Sequence, residues 1–351
     1  MTTIKDIARK VGVSPSVVSR ALNNKYGVKA QTRETIIKAA NDLGYHPNVM
    51  ARALVTRRTN TIGVLMADIS EPYYAEIIKG MSLVADRENY TLIFSNTYEA
   101  LEGKERLEKM VNAQRVDGLI IVGSSIKDKK FPYYLLEREI PFVLLERRMT
   151  DPRVNCLWVD NVTGAYTATK YLLDLGHKRI AHLSGNPDYQ VSLDRLAGYK
   201  KALREAGISF EEELVKTGRF VWEDGYLATK DVLAQSPGCT GIFAGNDSMA
   251  YGAMQALMEM GMGIPEDMAI IGFDDLEFSL LTTPPLTTVR QPRREMGERA
   301  MATLISLLKE KNSREDLARK RERKNDCPSV LQQSQGVKVA FLPELVIRCS
   351  T

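Results

Sequence analysis

The spacing of apolar residues changes near residue 60. Upstream they recur at helical intervals; downstream they arrive as short unbroken runs between amphipathic stretches. TIKDIARKVG sets Ile4, Ile7, Ala8 and Val11 on one helical face, and Gly12 ends that helix. A second helix follows in SPSVVSRALNN. Ser14 is a good N-cap there, Pro15 suits the first helical position, where its missing N–H is no loss, and Val18, Ala21 and Leu22 face inward. A third, about Gln31 to Leu43, turns Ile36, Ile37, Ala40 and Leu43 inward and ends at Gly44. Two short helices joined by a Gly-containing turn and braced by a third make a helix-turn-helix unit. The second helix is too short to anchor a large core; its shape suits presentation, with its N-terminal end and Arg20 toward a partner.

Pro47 and Asn48 interrupt the third helix. Asn48 to Val55 spans about two turns, too short for a stable free helix in water, so it is expected to order only when docked. Leu54 is an apolar side chain in a linker made basic by Arg52, Arg57 and Arg58. From Thr61 the runs TIGVLM, TLIFS, GLIIV, FVLLE, CLWV, RIAHLS, GIFAG and AIIGF alternate with amphipathic helices. Such runs suit parallel sheets covered on both faces. The cadence lasts about 230 residues, which predicts two adjacent α/β lobes rather than one sheet.

Ligands of open parallel sheets bind beyond the carboxyl ends of the strands. The polar residues there are Asp68, Ser95, Asn96, Glu146, Asp160, Asn161, Asn246, Asp247, Asp274 and Asp275. Asn161 and Asp247 are expected to be helix caps. Together the set rings an interlobe cleft with donors and acceptors suited to a polyhydroxy ligand, since Asp accepts, Arg donates in a fork and Asn does both.

Charge sharpens the division. Residues 1–60 hold eleven Lys/Arg against three acids, within a chain of net charge +4, so the remainder is net acidic. A basic head on a mildly acidic body points to a polyanionic partner for the head. The four cysteines (Cys156, Cys239, Cys327, Cys349) lie far apart, without metal-ligand or disulfide-framework spacing. No run of some eighteen apolar residues predicts a membrane span, and MTTIKDIARK lacks the apolar region of a secretory signal; a reduced, cytoplasmic protein without cofactor is expected. G-x-G-x-x-G, Walker, H-E-x-x-H and G-x-S-x-G motifs are all missing, and His46, His177 and His182 have no evident nucleophile partner, so catalysis is not expected.

TIKDIARKVGVSPSVVSRALNN, LGYHPNVMARAL and TNTIGVLMADISEPYYAEIIKG resemble the lactose-repressor/galactose-repressor family of bacterial transcription regulators, over nearly the whole chain. The resemblance implies an α/β protein: a small all-α helix-turn-helix head plus a two-lobed core of parallel sheets like that of periplasmic sugar-binding proteins. The implied division is a head at 1–46, a hinge helix and linker at 47–60, an N-terminal lobe from 61–160 with 291–325, and a C-terminal lobe from 161–290 with 326–351. The return crossing falls near Thr287–Pro292, and LPELVIR returns to the second lobe.

The same likeness implies roles. Pro15, Ser16 and Arg20 stand where the family reads bases, Arg20 being suited to guanine; Thr3, Ser14, Ser19, Asn23, Asn48 and Arg52 complete the DNA face. Leu54 stands where the family wedges a minor-groove base step. Val17 replaces a usual Thr, which removes one backbone contact. Arg195, Asn246 and Asp274 match the family's ligand-gripping Arg, Asn and Asp. Phe220 matches a pocket wall, Tyr73 and Tyr74 lie near the mouth, and Asp68 and Asp160 join the set. Glu146 replaces a usual Asp. The implied function is a homodimeric regulator, a repressor of a sugar or related catabolic operon. It would bind a pseudo-palindromic double-stranded operator under control of a sugar or sugar derivative, with a purine or nucleoside as the alternative ligand. Whether ligand releases or promotes DNA binding is left open, as is its identity.

One stretch departs from the pattern. After EMGERAMATLISLLKE, some tens of extra residues precede the last strand, and Lys309 to Asp326 carries eight Lys/Arg and five acids. Such composition predicts a solvated surface insertion, loop or frayed helix, across 311–341.

Overall fold

The structure, a computed structural model, describes residues 2–23, 26–45, 58–96, 109, 115–128, 130–322 and 335–351. The chain forms two compact units, Met1–Thr59 and Asn60–Thr351.

In the first unit α1 (Ile4–Val11), α2 (Pro15–Leu22) and α3 (Ala30–Asp42) enclose Ile7, Ala8, Val18, Ala21, Ile36, Ala39 and Ala40. Gly12 closes α1 in the left-handed conformation at φ 73°, which a side chain would strain. Ile37, expected inside, is 43% exposed, and Ala39 takes the buried place. Ile36, Ala39 and Ala40 follow the i, i+3, i+4 stripe, and residue 37 is turned off it by one helical step.

The larger unit holds two lobes. The first is a parallel sheet of β1 (Thr61–Met66), β2 (Thr91–Asn96), β3 (Gly118–Val122), β4 (Phe142–Leu145), β5 (Asn155–Val159) and, late in the chain, β11 (Lys338–Phe341), in the order β11-β5-β4-β3-β1-β2. Its core also takes in α4 (Tyr73–Arg87) and α10 (Arg293–Glu322), while α5 (Lys130–Glu137) packs Phe131 and Leu135 into a second apolar cluster. Gly80 and Gly297 let α4 and α10 approach backbone to backbone: a Cβ on Gly80 would strike the Arg294 carbonyl and one on Gly297 the Ile77 carbonyl.

The second lobe is the parallel sheet β7-β6-β8-β9, formed by β6 (Ile180–Gly185), β7 (Val215–Gly218), β8 (Gly241–Ala244) and β9 (Ala269–Ile271). Its helices are α6 (Asn161–Asp174), α7 (Gln190–Glu205), α8 (Trp222–Gln235) and α9 (Asp247–Glu259). β10 (Thr288–Arg290) pairs antiparallel with β12 (Glu344–Val346), and bridges at Ile271–Thr287 and Asp274–Arg290 join β10 to this lobe. The chain therefore passes between the lobes at residues 160–161, 291–292 and 342–343.

One expectation is corrected here. Assignment of all of 326–351 to the second lobe fails for Lys338–Phe341, which pairs in register with Cys156–Val159 of the first sheet. Of the two forms expected for the charged stretch, loop or frayed helix, residues 311–322 take the helical one. Residues 311–322 continue α10, a 30-residue helix. The Arg314–Glu310 pair at 3.8 Å supports the continuation, and the Lys311 ammonium donates to the Glu139 carbonyl at 2.8 Å. Residues 323–334 lie outside the described residues.

Candidate functional site

The head presents the front of α2. The Ser14 hydroxyl accepts from Val17 N at 3.4 Å and lies 2.8 Å from the Ser16 hydroxyl. No acid stands in the first turn of α2, so its positive helix end is left for an outside anion. Ser14, Pro15, Ser16, Arg20 and Asn23 are exposed, and Ser19 is half-buried. The Arg20 Nε donates to the Ser16 carbonyl at 3.4 Å, laying the guanidinium along its own helix. Thr3 serves locally: its N–H and hydroxyl both donate to the Asp6 carboxylate, at 2.9 and 2.7 Å, which holds that carboxyl below its usual range. Asn23 donates to the Ser19 carbonyl. Tyr26, 99% exposed, is a further candidate that sequence reasoning missed; it follows the helix and bears on no periodicity. Asn48, Arg52 and Leu54 lie outside the described residues.

Between the lobes is a cavity of about 110 Å³. Of the expected ligand residues, Asp68, Tyr73, Tyr74, Glu146, Arg195, Phe220, Asn246 and Asp274 line it. Asp160 does not. Both its oxygens are taken by Thr163, through the backbone N–H at 3.0 Å and the hydroxyl at 2.7 Å, because Asp160 is the N-cap of α6.

The cap of α9 is likewise Asn246, whose oxygen accepts from Met249 N at 2.9 Å while its amide donates to the Phe220 carbonyl at 2.9 Å. The expected caps, Asn161 and Asp247, are thus each one residue late, and both are buried with other work. Asn161 accepts from the Arg195 Nε at 2.8 Å. Asp247 accepts from Leu276 N, Ser279 and Thr288, and so fixes the loop that carries Asp274.

Arg195, on α7, is 4% exposed. Besides Asn161 it donates to the Gly245 carbonyl at 2.5 Å, lies 3.8 Å over the Phe273 ring and 5.7 Å from that of Phe220, and comes within 3.7 Å of the Asp274 carboxylate. A buried guanidinium needs such partners. Burial pushes Asp274 up to about 8; the pull of Arg195 offsets only part of that, and Asp247 adds to it. The Gln291 amide donates to Asp274 at 2.6 Å and its oxygen accepts from the Tyr73 hydroxyl at 3.1 Å.

Burial also raises Glu146, with Tyr73 and Arg195 opposing the shift, and raises Glu71, helped there by Asp68 and Glu223. Carboxyls held toward the protonated form can donate as well as accept, which suits a wall of ligand hydroxyls. Tyr73 and Tyr74 meet edge to face at 5.2 Å. Gly123 leaves room for Tyr74 and Glu146: a Cβ there would lie 2.9 Å from the Tyr74 hydroxyl and 3.3 Å from Glu146. Glu71, Tyr189, Val191 and Arg219 also line the cavity. Glu71, Tyr189 and Val191 sit on loops and helix ends away from strand termini, so the strand-end rule passes over them; Arg219 directly follows β7, whose VKTG is not an apolar run and gives no strand signal.

Among the described residues no helix is long and apolar enough to cross a membrane. Residues 3–48 match the family model for bacterial regulatory proteins of the lacI family, and residues 59–325 match that for periplasmic binding proteins and the sugar binding domain of the LacI family. The chain is 35% identical over 312 residues to the HTH-type transcriptional repressor PurR of Vibrio atlanticus, covering 89% of this chain and 93% of the relative. It is 35% identical over 314 residues to the ribose operon repressor of Haemophilus influenzae, with the same coverage. The lac repressor dimer bound to operator and the anti-inducer ONPF superposes with a TM-score of 0.84 at 27% identity, over 99% of this chain and 98% of that one. With both family models matched in order and together spanning most of its length, the chain belongs to the LacI family of bacterial regulatory proteins.

Proposed function

We propose that this chain is a sequence-specific transcription regulator, a repressor, whose affinity for an operator is set by a small ligand held between the lobes. The observation that carries the reading is the buried Arg195–Asp274 pair lining an interlobe cavity, in a chain whose basic head presents an acid-free helix front. A fork donor beside a carboxyl, with Phe220, Tyr73 and Tyr74 as aromatic walls, matches a ring bearing hydroxyls: a sugar or sugar derivative. The division into head 1–46, linker 47–60 and two lobes serves this by placing the reader and the sensor on separate units.

Two copies act together. Trp222, Leu227, Phe278 and Leu281 are 51%, 62%, 59% and 76% exposed and line one broad groove of about 1160 Å³ that also includes Asp68 and Glu71. Apolar side chains gathered on one surface mark an association face. A dimer sets two α2 helices on two half-sites, so the operator is expected to be a pseudo-palindrome.

The test is selection of genomic fragments by the purified protein at fixed moderate salt, followed by sequencing. An enriched pseudo-palindrome upstream of transport or catabolic genes is expected, and those genes nominate the ligand. Binding that only tracks salt, with no enriched sequence, would sink the reading. Calorimetry with pentoses, hexoses and purine bases then decides between a sugar and a base.

A further inference from the structure

Both side chains at the centre of the cavity are held by an amide that sits on a crossing between the lobes. Arg195 donates to Asn161, at the passage from β5 to α6. Asn161 is itself tied back by its amide to the Val159 carbonyl, at 3.1 Å, on the first-lobe strand. Asp274 accepts from Gln291, at the passage from β10 to α10. Gln291 in turn accepts from the Tyr73 hydroxyl of α4, a first-lobe helix. Asn161 is 3% and Gln291 4% exposed, so neither amide has water as an alternative partner.

We infer that Asn161 and Gln291 are positioning residues that tie the grip of Arg195 and Asp274 to the angle between the lobes. The physical reason is the location of the amides. A hinge motion turns backbone at the crossings, and a side chain rooted there turns with it. Rotation that moves Gln291 must break its bond to Tyr73 or to Asp274; rotation at 160–161 moves the acceptor of the Arg195 Nε. Buried donors and acceptors that lose partners are costly, so the arrangement favours a discrete lobe angle over a continuum. By linkage, whatever engages Arg195 and Asp274 biases that angle.

The inference rests on the cavity being the effector site, but its test needs neither ligand nor DNA. The far rim supplies a reporter: Ile126 N–H, in the loop after β3, donates across the lobes to the Asp188 carbonyl at 2.8 Å. Hydrogen exchange is followed in the full-length protein for the segment around Ile126, with β8 as the control. Gln291→Met should speed exchange at Ile126 by about tenfold or more while β8 stays within about twofold. Asp274→Ala should do the same, and the double variant should exceed neither, since both break one chain of bonds. Asn161→Leu and Arg195→Met form a second such cycle. Tyr73→Phe removes a single hydroxyl and keeps the test open should a buried variant fail to fold. Exchange at Ile126 within twofold of the parent in all single variants overturns the inference, as do effects that multiply in the doubles. Loss of operator selection with the expected exchange pattern intact would refute the regulator reading and leave the positioning role standing.

Discussion

Glu146, Phe220 and Asp274 line the cavity with backbone φ of 67°, 70° and 126°. Non-glycine residues held there cost of order 1–3 kcal/mol each and persist only where neighbours over-determine them. The neighbours are visible: Phe220 lies over Gly185, where a Cβ would overlap its ring, and Asp247 anchors the chain beyond Asp274 through Leu276 N at 2.7 Å. Strain gathered on one cavity supports a ligand role for these side chains. Arg195→Ala and Asp274→Ala are therefore expected to abolish the ligand response while leaving a folded protein that still shifts operator in a gel; a retained response would rule them out as the grip. His182 makes a different prediction. It is buried, stacked on Phe243 at 4.8 Å, with Nδ1 bonded to the Phe243 carbonyl and Nε2 unpartnered, and burial lowers it to about 4. The unfolded chain takes up this proton below about 6.5 while the folded chain refuses it until about 4. Stability should fall by up to about 3 kcal/mol as pH drops through that window. Urea unfolding between pH 4.5 and 7.5 should show a shallower acid limb in His182→Gln, and an unchanged limb would assign the loss to other groups. Residue by residue, Arg195 and Asp274 were legible because each stands in a distinctive string. Asn161 and Gln291 were not. One reads as a cap, and the other follows β10, a three-residue strand that no apolar run announces, so only three dimensions show what each holds.

At the scale of the element, α2 carries the argument in eight residues. Its boundaries were readable because Ser14 and Pro15 act locally, through one hydroxyl and one ring. Ser14→Ala should destabilise the head by about 1 kcal/mol, seen as a lower thermal midpoint for the head without change in the core's transition. Arg20→Ala should instead leave stability unchanged and cost about 1–3 kcal/mol of discrimination at one base position. Competition between operators altered at single positions measures this; equal weakening on every sequence would make Arg20 a phosphate contact. Longer elements were harder to bound. Nothing in the local composition of Lys311–Glu322 distinguishes a charged loop from an exposed helix. Helix prevails because a preceding buried segment, with Leu304 and Leu308 in the core, has already met the cost of nucleation. The inward placement of Ile37 failed for a related reason. Hydrophobicity alone does not fix the rotational phase of a 13-residue helix whose apolar stripe includes two alanines.

Taken whole, the molecule's two-lobed plan followed from the cadence of apolar runs, but the thread between the lobes did not. VKVAF and LPELV abut in the sequence, and the strands they form, two residues apart, join different lobes, with β11 beside β5 and β12 beside β10. Both are short apolar runs, and pairing partners more than 50 residues away decide their places. The association face belongs to this scale too, because Trp222, Leu227, Phe278 and Leu281 come from α8 and from the loop after β9. Each alone is an ordinary exposed apolar residue; only together do they form a patch. Leu281→Glu places a charge at the most exposed of the four. If this patch pairs two copies, burying that charge without a partner is prohibitive, and sedimentation should show the mass of one chain. Each head would then meet DNA untethered. Affinity for a full pseudo-palindrome should fall by about 10²–10⁴, the gain that tethering supplies without any new contact. Binding to a single half-site, made by one head, should be unchanged. A variant that sediments as one chain yet holds the full operator as tightly as the parent would mean that the two heads never act as a pair.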